Sequence, residues 1–177
     1  TLNIYDGGSV VLQGGMGSGT SPQSRSDNLA LIRTTVGNQT IQFHGTGGGI
    51  ELIGGDAGTF NYARIANDGV GTQNIVGAAS IELTAGDSPY ARAEIFAQGG
   101  QYIETNQLTL TGGGGNAYDS IAVIEHGYND MGGPVGSGYQ TIVMTGTNAT
   151  LTLQGGSGNG QNPNGTMGDP IDDTSGN

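Results

Sequence analysis

The chain has 177 residues, 37 of them glycine, with no cysteine or tryptophan; 15 acidic side chains against four basic ones leave a formal net charge of −11. The basic residues are all arginines (Arg25, Arg33, Arg64 and Arg92) and lie scattered, so the Lys/Arg clusters needed for phosphate are missing and nucleic acid is excluded as a partner. Zero cysteine excludes a disulfide scaffold and a thiolate metal site, and no apolar run approaches the ~18 residues of a membrane span.

The predicted elements recur in a fixed order. Residues 1–4 (TLNI) read as a strand, with Ile4 in the slot that isoleucine takes in later repeats. VVLQGG at 10–15 is a second strand ending in a Gly-Gly turn, and a long loop, 14–28, follows. A three-part unit then runs four times. It reads Ala30-Leu31-Ile32, GNQTI (37–41) and IELIGG (50–55), then Ala63-Arg64-Ile65, GTQNI (71–75) and IELTAG (81–86). The third copy is Ala93-Glu94-Ile95, GGQYI (99–103) and LTLTGG (108–113). The fourth is Ala122-Val123-Ile124, GYQTI (138–142) and LTLQGG (151–156), with an insertion around Tyr128 to Gly136. Residues 157–177 form a Gly/Asn/Asp-rich tail without strand signals.

The A-x-I phrases start 33, 30 and 29 residues apart. Each phrase alternates apolar and other residues, which is the period of a strand, and each is bounded by turn-forming Gly, Asn, Asp or Ser. No stretch shows a capped helical period. A strand-only repeat of this length predicts an all-β, parallel β-solenoid over residues 1–156, with three short strands per coil and about 4.5 coils.

Parity places Ile41, Ile75, Ile103 and Ile142 inside, and with them Gln39, Gln73, Gln101 and Gln140 two positions earlier. A buried amide must be hydrogen-bonded, so glutamines stacked in register predict a ladder. Gly37, Gly71, Gly99 and Gly138, before each glutamine, predict tight corners with positive φ.

Ends of a solenoid are open rows of backbone groups that template further pairing. The first strand slot is empty at the start, so the chain reads as a processed subunit or a segment of a longer solenoid. Thr1, Leu2 and Ile4 at one end, and Met167 and Ile171 in the tail, are the candidate assembly residues. The expected partner is the protein itself, stacked head to tail as a homopolymer.

The combination of A-x-I, G-x-Q-x-I and I-x-L-T-G-G resembles the repeat regions of filamentous-haemagglutinin-type bacterial exoproteins, over residues 1–156. That resemblance implies a right-handed β-helix at the cell surface or outside the cell, serving adhesion, biofilm matrix or fibre structure.

Other candidate sites are sparse. Glu51 and Glu82 fall on equivalent outward positions of adjacent coils, where like charges oppose each other or share a calcium ion. Asp169, Asp172 and Asp173 in the tail are further weak calcium candidates; no other cofactor is implied. Arg64 and Glu94 predict a surface ion pair. His44 and His126 fall in different slots and share no site. Tyr62, Tyr90 and Tyr118 recur 28 residues apart and predict a stack along one corner. GGMGSG, GGGGNA and GGSGNG lack the aspartate of calcium-roll repeats, and catalytic phrases are missing. Sequons stand at Asn38, Asn148 and Asn164. The expected function is an extracellular, non-enzymatic filament or matrix subunit. The alternatives are an adhesin fragment binding glycan or host protein through loops 14–28 and 127–137, and, more remotely, a polysaccharide-active enzyme.

Overall fold

The computed structural model describes residues 1–16, 28–114, 120–127 and 138–157. Among them the chain is all-β and without helix, so no helix is long and apolar enough to cross a membrane. The strands are β1 (Leu2–Ile4), β2 (Val10–Gln13), β3 (Ala30–Thr34), β4 (Gln39–Phe43), β5 (Gly49–Ile53) and β6 (Tyr62–Asn67). They continue as β7 (Gln73–Thr84), β8 (Arg92–Ala97), β9 (Gln101–Thr111), β10 (Ile121–His126), β11 (Gln140–Met144) and β12 (Thr150–Gln154).

Every pairing is parallel. The A-x-I phrases make a four-stranded sheet in the order β10-β8-β6-β3. The other two phrases share an eight-stranded sheet, because β7 and β9 are each long enough to carry both. Here the structure departs from three separate short strands. The cause at β7 is a bulge: Ile75 pairs Ile103, but Ala78 already pairs Thr105. Gly77, at φ 78°, supplies the left-handed residue that bends the strand.

Register aligns like with like. Ala30, Ala63, Ala93 and Ala122 form one column, and Ile32, Ile65, Ile95 and Ile124 the next. Val10, Ile50, Ile81, Leu108 and Leu151 form a third. Ile41, Ile75, Leu52, Leu83, Ile65 and Ile95 are fully buried in one cluster fed by both sheets. Each such side chain contributes about 1.5–3 kcal/mol by leaving water. The TLNI strand sits two residues away from its expected register. Leu2, not Ile4, stands opposite Ile41, and Ile4 falls opposite Phe43. Both residues keep their inward parity; Ile4 packs against the core, while Leu2 stays exposed.

Among the corner glycines only Gly37 has the expected positive φ. Gly71, Gly99 and Gly138 serve close approach instead. A Cβ on Gly71 would lie 2.3 Å from the Gly37 carbonyl oxygen, and one on Gly99 2.4 Å from that of Gly71. The backbones of successive rows stack at this corner with no room for a side chain.

Candidate functional site

Gln39, Gln73, Gln101 and Gln140 open β4, β7, β9 and β11 in one register column. Gln73 Nε2 donates to Gln39 Oε1 at 2.7 Å, Gln101 Nε2 to Gln73 Oε1 at 2.8 Å, and Gln140 Nε2 to Gln101 Oε1 at 2.7 Å. The second N–H of each amide crosses to the four-stranded sheet. Gln39 donates to the Ala66 carbonyl at 2.9 Å, Gln73 to that of Phe96 at 3.0 Å and Gln140 to that of Ile124 at 3.3 Å. The ladder thus runs along the rows and also ties the two sheets together. Below the amides, Ile41, Ile75 and Ile103 are fully buried, whereas Ile142 in the last row is exposed.

Two buried asparagines do similar work and escaped the repeat reading. Asn67 Nδ2 donates to the carbonyls of Gly71 and Gly37, at 3.1 and 3.3 Å, and its Oδ1 accepts from the Gly69 N–H. Asn61 accepts from Asn28 Nδ2 at 3.2 Å. Asn28 and Asn61 each precede the A-x-I alanine by two residues, a recurrence that the sequence does contain.

The two outer rows are left unpaired on one side among the described residues. β1, β2 and β3 pair only inward with β4, β5 and β6. β10, β11 and β12 pair only with β8 and β9. In that second row the inward-phased Leu151 and Leu153 are 58% and 69% exposed. Beside them opens a cavity of about 430 Å³ lined by Leu110, Ile121, Ala122 and Leu153. Thr1 and Leu2 belong to the opposite row, while Met167 and Ile171 lie outside the described residues.

Glu51 and Glu82 are register partners, both exposed, beside a shallow cavity of about 290 Å³ that Ser9 and Ser80 also line. Among the described residues no group of three or more His, Asp or Glu side chains gathers for a metal ion. Asp169, Asp172 and Asp173 lie outside the described residues. The next two rows carry Thr109 and Thr152 in this column. Replacing Glu82 by Thr is therefore expected to raise stability by about 0.2–1 kcal/mol, through relief of like charge. A urea midpoint that rises in the variant, and does not respond to calcium in either protein, meets this expectation. Calcium stabilising the wild type alone would instead identify a bridged pair.

The Arg64–Glu94 pair exists but is not on the surface. Arg64 Nε stands 2.9 Å from Glu94 Oε2, and Glu94 is only 2% exposed. Phe96 covers the pair, with the Arg64 guanidinium 4.8 Å from its ring centroid. Burial pushes the Glu94 carboxyl up to about 8, against the pull of Arg64; the neighbouring Glu125 raises it further and Arg92 lowers it.

His44 and His126 stay apart, as their slots require. His44 Nε2 lies 3.1 Å from Asn3 Oδ1, and its ring stacks on Tyr5 at 4.5 Å. His126 closes β10 in the other sheet. The tyrosine stack is rearranged. Tyr90 stacks on Phe60, ring centroids 4.6 Å apart, and not on Tyr62, which meets Phe60 edge-on at 6.5 Å. Phe60 and Tyr90 are the equivalent residues: both take left-handed φ, 59° and 58°. Tyr118 lies outside the described residues, as do most of loops 14–28 and 127–137.

No protein-family model, curated protein or solved structure matches the chain.

Proposed function

We propose that the chain is a right-handed β-solenoid, three strands to the coil, and serves outside the cell as a structural subunit that stacks end to end into a filament or matrix fibre. The observation that carries this reading is the pair of outer rows unpaired on one side among the described residues, one of which leaves Leu151 and Leu153 exposed in columns otherwise buried or half-buried. Exposed strand edges with apolar inner faces are templates for pairing. The glutamine ladder has the same logic as cross-β order, since each added row finds the bonds of the row before it. The extracellular placement rests on the resemblance to surface-exoprotein repeats and on composition. Four arginines and no lysine give trypsin-like proteases few sites.

Electron microscopy of the purified chain in negative stain, with and without calcium, tests the reading. Uniform thin fibres are the expected result. Replacing both Leu151 and Leu153 by Asp is expected to remove them while the circular dichroism of the strands persists. Small monodisperse particles from the wild type at every concentration would overturn the filament reading, and a loop-binding adhesin would then be the better account.

A further inference from the structure

We propose that the joint between copies is head to tail and fixed in one register, with β11 and β12 of one copy pairing β1 and β2 of the next; the A-x-I sheet has one row fewer, so β10 and the next copy's β3 stand two rows apart. This inference rests on the end-to-end reading and adds polarity and register to it. Extending the present register columns by one row puts inward residues on like residues. Leu151 and Leu153 meet Val10 and Leu12, continuing columns that already run Val10–Ile50–Ile81–Leu108 and Leu12–Leu52–Leu83–Leu110. Ile142 and Met144 meet Leu2 and Ile4. Leu12 of the incoming copy would face the mouth of the cavity that Leu110 and Leu153 line.

An outward pair matches as well, and the inward leucines discriminate between registers. Gln154 comes opposite Gln13. A two-residue slip preserves parity but sets Leu153 against Gly14 or Leu151 against Gly8, so one leucine loses its apolar partner. Joining two like ends would break the parallel pairing. The two ends are therefore complementary to each other and not to themselves, which makes the contact heterologous and open to indefinite growth.

The chain has no cysteine, so engineered thiols read the joint without background. Gln13 and Gln154 are both exposed and outward-phased. Neighbouring strands lie ~4.8 Å apart, within disulfide reach. The Q13C/Q154C protein, oxidised during assembly, is expected to give a ladder of covalent multimers on a non-reducing gel. V11C/Q154C, out of register by two residues, should cross-link at least tenfold more slowly. Three results would overturn the proposal while leaving end-to-end stacking intact: fibres without Q13C/Q154C cross-links, equal cross-linking of V11C/Q154C, or efficient dimers from Q13C alone. Absence of both fibres and cross-links would take down the stacking reading itself.

Discussion

Replacing Gln73 by Ala is expected to cost roughly 3–5 kcal/mol of folding free energy. Gln73 is fully buried in the middle of the amide column. It donates to Gln39 Oε1 and to the Phe96 carbonyl, and it accepts from Gln101 Nε2. Truncation strands all three partners in a site sealed from solvent and opens a cavity between the sheets. Gln140 makes the same kind of bond from the exposed end of the column, where water replaces whatever is lost. Gln140→Ala should therefore cost under about 1 kcal/mol. Urea denaturation of the two variants measures the contrast. Gln73→Met separates the causes, because it keeps the volume and removes the hydrogen bonds. If Met restores wild-type stability, the column is held by packing and the ladder contributes nothing. Equal costs for Gln73→Ala and Gln140→Ala would also sink the ladder as a stabilising element.

That column was legible because the sequence repeats a polar residue at an inward phase, and a buried amide has few ways to be satisfied. The apolar columns were legible for the simpler reason that a period of two fixes which face each residue takes. What escaped has specific causes. TLNI offers two apolar residues two apart, so a two-residue slip keeps parity, and only pairing with β4 decides that Leu2 meets Ile41. Gly71 and Gly99 look like turn glycines, yet a glycine needed for left-handed φ and one needed for close backbone approach are spelled identically. The 28-residue tyrosine spacing misled because it competes with the 30-residue alanine spacing, and the alanines set the register. Tyr90 therefore matches Phe60 in position and conformation. Phase alone puts Glu94 on the surface, because it points away from the core. Phase gives direction only; Phe96 and Arg64 on the same face decide the exposure.

The burial of Glu94 has a measurable consequence. Its carboxyl sits on β8 with Arg64 from β6, Arg92 from its own strand and Glu125 from β10 as charged neighbours. Burial raises its pKa to about 8 from an ordinary value near 4.5, and the two arginines do not offset that. A folded-state pKa above the unfolded one means that the native state holds a proton the unfolded chain has released. Between pH 4.5 and 8 the unfolded state binds fewer protons, so stability falls as pH rises. The contribution is fully present below the unfolded value and is lost as pH passes the folded one; its size is on the order of a few kcal/mol. Glu94→Gln keeps the shape and fixes the neutral state. The variant should match the wild type near pH 4.5 and exceed it increasingly towards pH 9, read as the difference between their urea midpoints. Taking the difference cancels the other carboxylates of this acidic chain. Should the variant instead be less stable at every pH, the 2.9 Å contact with Arg64 would be a true ion pair whose attraction outweighs desolvation, and Glu94 would be charged in the folded protein.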